Sequence, residues 1–274
     1  MATVADRPAG PASAPGQAHS IADLIDRWIY VLMAVLFVAT ALAGFVPDSL
    51  AKIAAVEAGM RPPFPVVLHV HAVLMGAWLM LLLAQTTLMA TGRPALHKRL
   101  GMASMVVAPA MVLTGFVLVP TMFGQTWAML QSPPPGMPAA EVEITRNFIS
   151  SIIAAQIAVG AMFAVFVTIA LRARRTDSGL HKRMMILATA VPLPAAIDRI
   201  EWLPTTYPDS FVAPFLYVFL WIAPMLLWDL VRTRRLHRAY VIWASVYVPV
   251  GLLVIYLWWT PGWMNFAQRL MGVA

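Results

Sequence analysis

The chain has no cysteine among its 274 residues. That absence excludes covalent c-type haem, which needs a Cys-x-x-Cys-His attachment, and it excludes iron–sulfur clusters and membrane dithiol oxidases. Any cofactor must be held by histidine, methionine, carboxylates or packing. Charge is also scarce. Only 11% of residues are charged and 61% are apolar, where a soluble domain has about 25% and 45–50%. A composition this apolar belongs to an integral membrane protein. Hydrolysis is the weakest of the enzymatic options, because no nucleophile–base pair and no His-Glu-x-x-His zinc motif occurs.

What the sequence does contain is a series of apolar runs near the ~20 residues that a helix needs to cross the hydrocarbon. Seven spans are expected, at 28–46, 66–90, 100–119, 149–171, 184–203, 211–230 and 241–259. The fifth is the least regular, with two prolines and three charges. Residues 1–20 are rich in Ala, Pro and Gly and are expected to be a disordered cytoplasmic tail rather than a signal peptide. The remainder, 21–274, reads as a single all-α transmembrane domain with a repeat-containing core at 65–204. The first span, with no ionisable residue at its centre, is expected to be peripheral. The connection 121–148 is expected to lie across the outer surface, and 261–274 to form a short surface helix through Trp263, Phe266 and Leu270.

The net charge of +7 follows the positive-inside rule and does not point to nucleic acid. The basic loops 93–99, 172–183 and 232–238 all fall on one side. The expected placement is therefore a bacterial inner (plasma) membrane, multi-pass, with the N-terminus cytoplasmic and the C-terminus periplasmic.

Leu96-His97-Lys98-Arg99 recurs as Leu180-His181-Lys182-Arg183, 84 residues on (97 to 181). Each copy opens an apolar run, so spans two to five read as two parallel helical hairpins forming a four-helix core. Each copy also presents a histidine at the same depth. Below His97, helical steps of three and four give Gly101, Ser104, Ala108, Met111 and Gly115; below His181 they give Met185, Ala188, Pro192, Ala195 and Arg199. Both stripes are mostly small, which suits close helix packing or a slot for a flat ligand. Two level imidazoles can ligate one b-type haem, with Lys98, Arg99, Lys182 and Arg183 beside its propionates. The same residues also fit interfacial anchors that bind lipid phosphate and set topology.

A second polar group is expected at the outer side. His71 heads a stripe through Met75, Trp78, Leu82 and Gln85, and a histidine and a glutamine in a span need partners that lipid does not supply. His69, two residues earlier, points about 200° away on a helix. In the fifth span Asp198 and Glu201 share a helical face and are candidates to join a histidine around a metal ion. Arg199 between them is the alternative: a structural ion-pair network that pins helices together.

His69-Val70-His71, Leu96-His97-Lys98-Arg99-Leu100-Gly101 and His181-Lys182-Arg183-Met184 resemble a group of uncharacterised bacterial multi-span membrane proteins over residues 65–204. More distantly, the His-Lys/Arg pair before Leu-Gly is similar to motifs in cytochrome b561-like electron carriers, haem A synthase and cytochrome c oxidase assembly proteins. That similarity implies His97 and His181 as inner ligands and His69 or His71 as an outer one. No histidine lies at the outer level in spans three to seven, so the chain would hold at most one bis-histidyl haem b, or one haem plus an unlike outer site. The functions in play are electron transfer or oxidase and haem assembly with a redox or oxidase-complex partner, a small-solute transporter, and a non-catalytic accessory subunit of a larger membrane complex. Parallel repeats disfavour an inverted-repeat exchanger.

Overall fold

The computed structural model describes residues 20–134, 136–204 and 210–273. The expected tail, apart from Ser20, lies outside the described residues. All regular structure among the described residues is helical: α1 Ile21–Glu57, α2 Val66–Ala90, α3 Pro94–Gln131, α4 Ala139–Ala173, α5 Ser178–Ala190, α6 Pro194–Ile197, α7 Ala213–Thr233, α8 Arg238–Leu257 and α9 Pro261–Leu270. Six of these, α1–α4, α7 and α8, are long and apolar enough to cross a membrane. The protein is a polytopic helical membrane protein.

The expected fifth span is broken into α5 and α6. Pro192 and Pro194 each lack a backbone donor and crowd the preceding turn, and residues 191–193 form turns between the two pieces. This broken segment is also the most enclosed. Met184, Ile186, Leu187, Val191 and Ile197 are all fully buried, with α1, α4, α7 and α8 packed around α5 and α6. Irregular backbone is tolerated at membrane depth where protein rather than lipid surrounds it.

The first span is not peripheral. Met33, Ala34 and Phe37 of α1 are fully buried, and α1 packs against α2, α5, α6 and α7. Gly44 explains the closest approach: a Cβ there would sit 2.1 Å from the Ala196 carbonyl oxygen of α6. A backbone oxygen at that distance cannot rotate aside. Gly44→Ala is expected to destabilise the fold by about 1–3 kcal/mol through overpacking, read as a lower unfolding midpoint in detergent; an unchanged midpoint would show that α1 and α6 are not in this contact.

The helices α3 and α4 run further than expected. The connection expected at 121–148 shrinks to 132–138, because α3 continues through Pro109 and Pro120 to Gln131. The expected surface helix is present as α9. It lies on α4, with Ala267 fully buried and the Trp263 indole donating to the Ser150 carbonyl at 3.1 Å.

The two hairpins α2–α3 and α4–α5 form the expected four-helix unit. Neighbouring helices pack in sequence order, and the Trp78 indole closes the ring by donating to Thr189 Oγ1 of α5 at 3.1 Å. Trp78 itself stands edge-on to Phe163 of α4, with ring centroids 5.2 Å apart. Both LHKR copies lie in the first turns of their helices, at one end of the bundle, called here the basic end. Burial is uneven: only Trp78, Leu82 and Ala90 of α2 are buried, and Val66, Val70, Val73 and Met80 are on the surface, as suits a lipid-facing helix.

Candidate functional site

The repeat brings its two histidines together. The His97 and His181 rings, from α3 and α5, lie 6.4 Å apart between centroids with planes at 80°. Each is oriented by the helix that precedes it. His97 Nδ1 faces the Gln85 carbonyl of α2 at 3.4 Å, and His181 Nδ1 faces the Ala170 carbonyl of α4 at 2.9 Å. A carbonyl only accepts, so both Nδ1 atoms carry a proton, and in the neutral ring that tautomer leaves the lone pair on Nε2. A backbone carbonyl on the distal nitrogen is the usual support for a metal-bound histidine.

At 6.4 Å between centroids the two rings are close enough that one metal centre could take both as ligands. Beside the pair, the Gln85 side-chain amide is buried with neither Nε2 nor Oε1 hydrogen-bonded. A Cβ on Gly101, one helical turn below His97, would meet that amide nitrogen at 3.4 Å, so the glycine leaves room next to an unsatisfied polar group. Such a group costs about 1–3 kcal/mol and points to something polar that belongs there.

The flanking cations differ between the copies. Lys98 and Arg99 are exposed at the basic end. Lys182 lies over the Tyr30 ring of α1 at 4.8 Å. Arg183 is buried and makes a bidentate pair with Asp229 of α7, both bonds 2.6 Å. Its remaining nitrogen donates to the Gly179 carbonyl at 3.1 Å. Tyr240 of α8 donates to the same carboxylate at 2.5 Å. Arg183 is therefore a structural tie among α5, α7 and α8 and is not available to a propionate. Sequence reasoning missed Asp229 and Tyr240. The available signal was a single carboxylate inside an otherwise apolar run, which needs a partner at that depth.

At the edge of this cluster Asp177 caps α5, accepting from the Leu180 amide at 2.8 Å, and it also accepts from Arg238 of α8. The Leu180 amide, more than the guanidinium, holds its carboxyl below the usual carboxylate range. Burial pushes the His237 imidazole below its ordinary value, with the Arg183 charge acting in the same direction.

The outer metal cluster does not assemble. Among the described residues no three His, Asp or Glu side chains group around a common point. His69 stands edge-on to Phe64 at 6.2 Å, and His71 Nδ1 is 3.1 Å from Thr114 Oγ1 of α3. Asp198 and Glu201 lie beyond the end of α6, in turns rather than helix, so the three-residue spacing no longer places them on one face. The structural alternative is realised with a different partner. Arg199 pairs with Asp48 of α1 at 3.2 Å and covers the Phe45 ring at 5.0 Å, which pins the broken segment to α1.

Comparison with protein-family models, with curated proteins and with solved structures finds no match.

Proposed function

We propose that this membrane protein binds one b-type haem through His97 and His181 and works in electron transfer or in oxidase or haem assembly. The observation that carries the reading is the histidine pair: two imidazoles with ring centroids 6.4 Å apart, each with Nδ1 against a backbone carbonyl. The donor set fits. Neutral imidazoles suit haem iron, and they reach the site from opposite helices of the four-helix unit, with Gln85 and Ala170 on the helices between. Gly101, Ser104 and Ala108 below His97 are small, and the unsatisfied Gln85 amide offers a polar contact inside.

When bound, the iron supplies one-electron redox chemistry. The chain's part is to orient both rings through Gln85 and Ala170 and to fix their tautomer. Lys98 and Arg99 are the repeat cations left to neutralise carboxylates at the basic end, because Arg183 is held by Asp229. His97 and His181 would hold the group, and the largely apolar surroundings would tune its potential, since burial disfavours added charge. The basic loops support a cytoplasmic-side position for the site, by the positive-inside rule.

Pyridine haemochrome analysis of detergent-purified protein, expressed with adequate haem, tests this. About one haem b per chain is expected from a single bis-histidyl site. Protein that is folded and monodisperse but haem-free after such expression would remove the assignment.

A further inference from the structure

We propose that a groove between α3 and α4 at the basic end binds the phosphodiester headgroup of an anionic phospholipid. The groove has a volume of about 360 Å³, opens to the surface and is lined by Met105, Thr168, Leu171, Arg172, Arg174 and Arg175. Three arginines therefore line one opening, and no carboxylate does.

The basic end of the bundle holds both paired and unpaired cations, and what sets these three arginines apart is that they line one groove. Arg183 is tied to Asp229, Arg232 to Asp26 and Arg238 to Asp177, and Arg27 donates to the Ala90 carbonyl. Among the described residues no ion pair forms to Arg172, Arg174 or Arg175. The Arg174 guanidinium instead reaches across to α3, where it lies 3.4 Å from Met105 Sδ, and so bridges the groove rather than extending away from it. Three uncompensated guanidinium groups held together repel one another, and an anion between them relieves that repulsion. Planar five-donor forks match phosphate oxygens better than a point charge does.

The ligand's second half follows from what lies along the groove. Met102, Met105 and Val106 of α3 and Val165 of α4 are exposed, giving an apolar track on the lipid-facing side. Arg172 lies in the last turn of α4, and Arg174 and Arg175 follow its end at Ala173, where apolar sequence gives way to basic loop. A cationic head site directly above an exposed apolar track has the amphipathic order of a phospholipid, and basic pockets between spanning helices are a recognised mode of headgroup binding. A soluble phosphate would use the head site alone.

The test uses the full chain in neutral detergent micelles, titrated with fluorescent phosphatidylglycerol or phosphatidylcholine. Wild-type protein is expected to bind phosphatidylglycerol at least about tenfold more tightly than phosphatidylcholine. Replacing Arg172, Arg174 and Arg175 together by Gln is expected to abolish that preference. A charge-matched control, Arg93→Gln with Arg234→Gln and Arg269→Gln, is expected to keep it. Replacement of the three groove arginines by Lys retains the charge and should retain most of the preference, which keeps the test valid if the Gln variant folds poorly. Excess inorganic phosphate that fails to displace the lipid supports a lipid headgroup, whereas full displacement by phosphate alone would overturn the lipid assignment in favour of a free anion. Equal binding of the two lipids, or an undiminished preference in a folded Gln variant, would contradict the proposal outright.

Discussion

Asp229→Ala is expected to cost about 3–5 kcal/mol, because it leaves the buried Arg183 guanidinium without its counter-charge. Both side chains are nearly inaccessible, at 10% and 8% exposure, so water cannot take the place of the carboxylate. Tyr240 loses its acceptor at the same time, adding an unsatisfied hydroxyl at the junction of α5, α7 and α8. The expected reading is a fall in the unfolding midpoint on the order of 10 °C, or protein that no longer runs as a single species in detergent. Removing both charges behaves differently. Arg183→Met with Asp229→Leu eliminates the buried ions together and is expected to recover most of the loss, because well-packed apolar replacements of a buried pair are often close to neutral. A single Asp229→Ala variant as stable as wild type would show that the ion pair does not hold these helices.

His97→Ala and His181→Ala are each expected to remove the same haem signal, since the proposed site needs both imidazoles as ligands. The two variants should resemble one another more than either resembles wild type. His237→Ala is the matched control. His237 caps α8, accepting from the Ala239 amide at 3.1 Å, and lies at the same end of the bundle without belonging to the pair. Its replacement should leave the spectrum intact and lower stability modestly through loss of a cap, by about 0.5–2 kcal/mol. Gln85→Leu probes the unsatisfied amide beside the pair: the backbone carbonyl that orients His97 stays, the amide goes, and a shift in reduction potential with retained haem is the expected result. Loss of signal in His237→Ala with retention in His97→Ala would reverse the site assignment.

Much of the architecture was legible in the sequence because bilayer length and charge asymmetry act locally. Apolar runs of the right length, basic turns at one end and an identical four-residue repeat each need only neighbouring residues to be recognised. The repeat also led to His97 and His181, although only the fold brings their rings to 6.4 Å. What escaped was set by distant partners. Gly44 looked like any glycine in an apolar run until Ala196, far along the chain, packed against its Cα, and that contact makes α1 central. Arg183 read as one more basic residue in a turn, yet its partner Asp229 lies 46 residues away. The outer cluster failed for a different reason. Helical spacing was extended past Pro194 to Asp198 and Glu201, where the helix has already ended, so a rule of helix geometry was applied to turns. The same prolines, visible in the sequence, mark where that rule stops.

A reduced-minus-oxidised visible spectrum of purified wild-type protein, taken beside His97→Ala and His181→Ala, tests the central claim most directly. The account predicts a b-type difference spectrum in wild type that is absent from both variants while all three proteins remain folded. A folded wild-type protein with no difference spectrum, or a signal that survives both substitutions, would contradict it.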